Sequence, residues 1–293
     1  MKSPEFESVA PARLVPIGVF AALSVLSPLV SAHEDMSKPV ITKETKKDKK
    51  GKDVPYMYID GVKVHEVDTS KQALPPVVTP GEGPGAPPSD AIVLFDGSEK
   101  AFKENWTDKG GKPSRWKVVD GALESVKKAG YLQSKEKFGS CQLHIEWAAP
   151  ANVKGEGQGR GNSGVFLMGM YEVQVLDSFE NPTYADGQAS ALYGRKKPLV
   201  NASRKPGEWQ SYDIVFQRPL FDKDGKVTRR ATFTVLHNGV LVQNHSVLSG
   251  GTGWDGPHSA SEYKAHADKL PLSLQDHGNP VRFRNVWLRE LED

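Results

Sequence analysis

The sequence predicts an all-β fold over residues 90–293, a two-sheet sandwich of jelly-roll type, and three observations predict it. From Ala91 onward short runs alternate apolar and polar residues, as in "SCQLHIEWA" (140–148) and "VRFRNVWLREL" (281–291). Clusters of Gly, Asp, Asn and Pro separate the runs, and almost no stretch keeps the period of a helix. Two separators, Asp120-Gly121 and Asn238-Gly239, are dipeptides that favour the left-handed turns of hairpins.

In order, the runs that read as strands are 91–95, 115–119, 122–126, 130–134, 140–148, 163–169, 171–177, 209–217, 230–237, 240–247, 270–275 and 281–291. Short strands at this density suit a sandwich. The segment "SASEYKAHADK" (259–269) is the one predicted helix, opened by a serine cap with Glu262 nearby. Cys141 is the only cysteine, so no intrachain disulfide forms, and it alternates with Leu143, Ile145 and Trp147 as a buried apolar residue. Trp106, Trp116, Trp147, Trp209 and Trp287 read as core.

Ahead of this region, Arg13 precedes an apolar run from Leu14 to Val30, and Val30-Ser31-Ala32 suits cleavage before His33. Residues 1–32 therefore read as a signal peptide that sends the chain to the periplasm or outside the cell. Pro16, Pro28 and the charges of His33-Glu34-Asp35 speak against a retained span, so no integral membrane protein is expected. Residues 33–89 are rich first in Lys and then in Pro and read as a linker, with one candidate hairpin at 54–67 around Asp60-Gly61. The chain is 38% hydrophobic and 25% charged with net charge +2, ordinary for a globular protein. Its basic residues gather at Lys43, Lys46, Lys47, Lys49, Lys50 and Lys52 without aromatics for base stacking, so nucleic acid is not an expected partner. Nothing in it sets an oligomeric state.

The polar registers carry the functional signal. With Cys141, Leu143, Ile145 and Trp147 inward, Gln142, His144 and Glu146 face the other way; Glu172 and Gln174 do the same against Tyr171, Val173 and Val175. Asp177 joins Glu172 only if a β-bulge adds a residue. Between these strands "GEGQGRGNSGVF" (155–166) lets backbone approach a ligand closely and offers Asn162 and Ser163. Gln275, Asp276 and His277 follow a strand, and Arg282 and Arg284 alternate on the last one. The expectation is one concave polar face that floors a cleft. Glu146, Glu172, His277 and Asp177 are its catalytic candidates, and Asn162, Ser163, Gln174, Gln275, Arg284 and His144 its binding candidates. His237, His245, His258 and His266 have neither the spacing nor the companion acids of a metal site, so no metal or cofactor is expected.

Seven blocks in order, "LFDGSEKAFKENW", "WKVVDGALES", "LQSKEKFGSCQLHIEWAAP", "GNSGVFLMGMYEVQVLDS", "GEWQSYDIVF", "VLHNGVLVQNH" and "PLSLQDHGNPVRFRNVWLREL", make residues 91–291 resemble the 3-keto-disaccharide hydrolase family. The resemblance implies a concanavalin A-like lectin/glucanase sandwich acting on sugars oxidised at C3, by glycosidic cleavage or by elimination and hydration. A C3 ketone acidifies the C2 proton, which a carboxylate or imidazole can remove. Two alternatives stay open. One is a non-catalytic carbohydrate-binding module. The other is a laminarinase-type glucanase, because Glu172-x-Gln174-x-x-Asp177 is similar to the E-x-D-x-x-E strand of those enzymes, although Gln174 carries no charge.

Overall fold

The computed structural model describes residues 41–65, 70, 74–254 and 262–293. The expected signal peptide lies outside them. The chain divides into two compact units, Met1–Pro76 and Val77–Asp293.

In the first unit β1 (Ile41–Lys47), β2 (Asp53–Ile59) and β3 (Val62–Lys63) form an antiparallel sheet in that order. Asp60 and Gly61 turn β2 into β3 with φ of 50° and 79°, as the candidate hairpin requires. Lys43, Lys46 and Lys47 of the lysine run, expected as a solvated tether, are exposed as expected but lie on β1. Cross-strand contacts replace a core here: Lys46 Nζ donates to Tyr58 OH at 3.2 Å, and Lys63 Nζ stands 4.3 Å from the centre of the Tyr56 ring.

The second unit contains β4 (Ile92–Phe95), α1 (Glu99–Asn105), β5 (Trp106–Asp108), β6 (Lys117–Val119), β7 (Ala122–Glu124), β8 (Leu132–Phe138), β9 (Cys141–Ala148), β10 (Ser163–Leu167) and β11 (Tyr171–Val175). It continues with β12 (Gln210–Gln217), β13 (Leu220–Phe221), β14 (Val227–Arg229), β15 (Thr232–His237), β16 (Val240–Val247), β17 (Leu270–Leu274) and β18 (Arg282–Glu290). Every run expected as a strand contains one. A five-stranded sheet has the order β11-β10-β17-β8-β5. The larger sheet runs β16-β15-β12-β9-β18-β7-β6, with β4 also on β18, and β13 and β14 make a separate ribbon. The fold is a β-sandwich, and the described residues of the chain are 41% strand and 6% helix. The helix expected at 259–269 is irregular over 262–269, the part described. The helix that does form, α1, is too short for a period to show; Ser98 caps it, its Oγ accepting from Ala101 N at 3.0 Å.

The two sheets share one core. Leu143, Ile145 and Trp147 of β9 pack in it with Val165 and Leu167 of β10, Tyr171, Val173 and Val175 of β11, and Leu272 and Leu274 of β17. Cys141 lies in the same layer, where burial pushes its thiol up to about 12 and keeps it unreactive. This packing corrects one expectation. Strands β9 and β11 belong to different sheets, and both turn their odd-numbered residues into the shared core, so Glu146 and Glu172 lie on opposite outer faces. Alternation shows which residues turn away from a core but not which sheet carries them.

The tail of the expected linker is also ordered. Thr79 and Ser89 tie the loop of residues 77–90 to itself, Ser89 N donating to Thr79 O and Thr79 N to Ser89 Oγ, each at 2.9 Å. The loop lies on the outer face of the larger sheet, where Gly85 O accepts from Asn285 Nδ2 and Trp287 Nε1, both at 2.8 Å, and Asp90 receives the Arg289 guanidinium. Proline and glycine suit this strap because side chains of a distant strand supply its anchors. Gly85 sits at φ 75°, and a Cβ there would stand 2.9 Å from His144 Nε2. Gly85→Ala should therefore lower stability by about 1–3 kcal/mol, and a chain starting at Ala91 should melt below one starting at Val77. Equal melting temperatures for the two chains, measured by calorimetry, would show the strap to be dispensable.

Candidate active site

The outer face of the five-stranded sheet collects a polar floor, and β10 organises it. In register, Glu172 lies beside Phe166, Phe166 beside Ser273, Ser273 beside Gln133 and Gln133 beside Thr107, so one row crosses the sheet. A second row runs from Gln174 to Gly164 and on to Gln275, whose N–H donates to Gly164 O at 3.1 Å. Side chains tie the rows. Gln133 Nε2 donates to Ser273 Oγ at 3.1 Å, Gln275 Nε2 to Tyr131 OH at 2.8 Å, and the Tyr131 and Phe166 rings lie 5.3 Å apart. Phe166 is thus an apolar tile between the Glu172 carboxyl on one side and the Tyr131 phenol on the other.

Strand β11 is an edge strand, and loops cover it. Ser190 N donates to Gln174 O, Gln174 N to Ala191 O and Tyr193 N to Glu172 O, while Glu172 N donates to Thr252 Oγ1 at 2.8 Å. The same loops bring aromatic rings to this edge. Tyr184 OH and Tyr193 OH share a 2.7 Å hydrogen bond, and the Trp254 ring, 59% exposed, stands 5.7 Å from that of Tyr184.

Under this cover Glu172 is only 4% exposed. Burial penalises its charged form and pushes the carboxyl from 4.5 up to about 8. Its charge in turn adds to the burial that raises the Tyr131 phenol, against the opposing bond from Gln275. Gln174 orients the carboxyl: the amide orientation that satisfies the group puts its nitrogen 2.8 Å from Ser163 O and 3.2 Å from Glu172 Oε1. Gly164 makes the room, because a Cβ there would run into Glu172 Oε1 and the Phe166 ring. A buried carboxyl that titrates near neutrality, beside a ring and hydrogen-bond donors, can exchange a proton with a bound ligand.

The remaining expected residues are placed elsewhere or hold structure. Glu146 lies under the strap on the opposite sheet, where Arg284 Nε (2.7 Å) and Asn285 Nδ2 (2.9 Å) donate to it. Burial works to raise its carboxyl, but these two bonds and the Arg284 charge outweigh it and hold it below the usual range. His144 beside it is buried, its Nδ1 2.6 Å from Asp213 Oδ1 and its ring stacked on Trp287. Arg284 lies over the Trp209 ring at 4.1 Å. These three therefore do not share a face with Glu172. The register of β10 with β11 is regular through Val175 with no bulge, so Asp177 falls beyond the strand, 2% exposed and paired with Arg160 Nε at 2.6 Å. Alternation stops at Val175 and Leu176, which both lie in the core, and the Asp177 carboxylate beyond them is committed to Arg160.

Ser163 is fully buried and its hydroxyl donates to Gln275 O at 2.6 Å; Asn162 Nδ2 donates to Gln158 O at 2.7 Å and so braces the preceding turn. His277 is exposed beyond the end of β17. Of the expected residues, Glu172, Gln174 and Gln275 share the floor. Tyr131, Gln133, Phe166 and Ser273 were missed, although their signal was present. Leu132 and Val165 point inward, so Tyr131, Gln133 and Phe166 occupy the outward register of their strands.

A two-sheet sandwich with a buried, proton-exchanging carboxyl on an amide- and aromatic-lined sheet face presents a candidate ligand site. The chain belongs to the 3-keto-alpha-glucoside-1,2-lyase-like domain family, whose model matches residues 90–289. It is 26% identical to the 3-keto-disaccharide hydrolase of Bacteroides thetaiotaomicron over 69% of this chain and 78% of that protein. A crystal structure from Parabacteroides distasonis ATCC 8503, described as a candidate glycosyl hydrolase, matches with a TM-score of 0.71 at 47% identity, covering 79% of this chain and 98% of the other. The protein is thus glycosyl hydrolase-like and carbohydrate-active.

The raised carboxyl has a measurable signature. Glu172 binds its proton more tightly folded (about 8) than unfolded (4.5), so its contribution to stability is full below pH 4.5 and is lost as pH rises through 8. Relative to Glu172→Gln, the wild type should therefore lose stability on the order of a few kcal/mol across that window. Denaturant melts of both proteins at several pH values check this; parallel curves would place the carboxyl in water.

Proposed function

We propose that the floor around Phe166 binds a 3-keto-glycoside and that Glu172 is the base that removes its C2 proton. The observation that carries this reading is the position of Glu172, a carboxyl with its pKa near 8 set beside an apolar tile and across it from Tyr131. A base of that strength is well matched to a C–H acidified by a neighbouring ketone, and it remains partly ionised at neutral pH.

The apolar face of the sugar lies on Phe166 in this proposal. The electron pair of the broken C2–H bond passes into the C3 carbonyl as an enolate, whose oxygen needs fixed donors. Tyr131 OH, held by Gln275, and the Gln133 amide, held by Ser273, supply them from rigid strands. Collapse of the enolate expels the C1 substituent as an alcohol after it gains a proton and leaves a 1,2-enone. Water adding at C1 then restores the 3-keto sugar, so elimination and hydration sum to hydrolysis. Glu172, protonated by the first step, is the acid that can return the proton. The export segment read in residues 1–32 would place this activity in the periplasm or outside the cell. Glu146 and His144 take no step, and His277 is assigned none.

Glu172→Gln should cut turnover of a 3-keto-glycoside by about two to four powers of ten with folding intact, whereas Glu146→Gln, on the far sheet, should stay active. In the wild type kcat/KM should fall about tenfold per pH unit below 8, because only the carboxylate accepts the proton. Deuterium should enter C2 of the 3-keto substrate and not of the unoxidised glycoside. Full activity in Glu172→Gln, or equal cleavage of both glycosides, would return the cleft to a binding role.

A further inference from the structure

A cavity of about 310 Å³, whose lining shares no residue with the Phe166 floor, opens among the loops at one end of the sandwich. Four connections build it: the exit of β9 (Pro150 to Lys154), the entry to β10 (Arg160 and Gly161), the exit of β11 at Asp177, and the link from β17 to β18 (Gly278 to Pro280). Its volume is at the small end of the roughly 300–1,000 Å³ typical of ligand sites, room for one ring and not for a chain.

The wall chemistry is specific. Arg160 and Asp177 form a buried pair, with side-chain exposures of 15% and 2%. The guanidinium gives its Nε to Asp177 Oδ2 and one Nη2 hydrogen to Phe179 O at 2.8 Å, and Asp177 Oδ1 receives Phe179 N at 3.3 Å. The aspartate is thereby fixed, while Nη1 of this lining residue has no hydrogen-bond partner among the described residues. Lys154 stands on the rim, exposed and without an ion-pair partner among the described residues. Counting Lys154 and Arg160 against Asp177, the lining carries one net positive charge. Asn279 accepts from Asn162 N through Oδ1, which leaves its NH2 group as a further donor, and Pro150, Val153 and Pro280 supply apolar backing.

One uncompensated positive charge, a planar fork with free donors, an amide and an apolar wall describe a receptor for a hydroxylated ring that bears a single carboxylate. We infer that this cavity is a binding site for an acidic sugar unit of uronic-acid type, separate from the Glu172 cleft. The proposed function guides only the choice of probes. The two sites share a wall, because the Ser163 hydroxyl bonds Gln275 O of the floor and the neighbouring Asn162 N bonds Asn279 of the cavity lining.

Titration calorimetry of the full chain with glucuronate, glucose and acetate tests the inference. Glucuronate should bind at least about tenfold more tightly than glucose, the worth of one charge-assisted hydrogen bond, and more tightly than acetate, which lacks the ring. Lys154→Glu and Asn152→Ala alter exposed rim residues and should keep the wild-type melting temperature. Lys154→Glu should weaken glucuronate about tenfold and leave turnover in the Glu172 cleft unchanged. Glu172→Gln should bind glucuronate as the wild type does, so failure of the cleft chemistry and failure of this site read separately. No glucuronate binding, equal affinity for glucose or for acetate, unaltered affinity in Lys154→Glu, or loss of affinity in Glu172→Gln would each overturn the assignment.

Discussion

The constraint on which the molecule depends is the core shared by the two sheets. Trp147, Tyr171, Tyr212 and Phe216 are fully shielded within it, and their burial outweighs any preference of the residues between them. Because side chains alternate along a strand, fixing these inward positions fixes every outward one. Glu172 is turned toward the Phe166 floor and Glu146 toward the strap not by their own interactions but by the buried apolar side chains on either side of them.

The two glutamates show how environment divides one residue type into two roles. Glu146 is given an arginine and an amide, and the compensated charge serves as a clamp on Asn285, which in turn holds the strap. Glu172 has Gln174 and little else, under loops that exclude water, so its charge is costly and its proton easily exchanged. An edge strand would ordinarily leave such a group in solvent; the loop that bonds along Gln174 and Glu172 converts the edge into a lined recess. Covering an edge and tuning an acid are here the same structural act.

Much of the fold is legible in the residues themselves. The apolar register of Cys141 to Trp147 and of Tyr171 to Val175, and the Asp-Gly and Asn-Gly turns, are local signals, and local chemistry enforces them. What the sequence does not display is the assignment of strands to sheets, since β9 and β11 have the same pattern and differ only in their partners. That is why Glu146, His144 and Arg284 read as neighbours of Glu172. The strap escapes a compositional reading for a related reason: its anchors, Asn285 and Trp287, lie far along the chain. Phe166, Tyr131 and Gln133 obey the same alternation but carry no charge, and an aromatic residue in an outward register is itself informative.

The anchoring of Gly85 also bears on the order in which the chain can become structured. The bonds to Gly85 O come from residues 200 and 202 positions later, and β18, which supplies them, lies between β9 and β7 and also pairs with β4. As a ribosome makes the chain, β4 and β9 emerge with their β18 neighbour still to come, and the strap has nowhere to dock. Such wide sequence separation makes closure of the larger sheet a late and comparatively slow event. Until β18 arrives, the nascent chain carries an incomplete sheet with exposed edges, a form suited to being held unfolded by a chaperone.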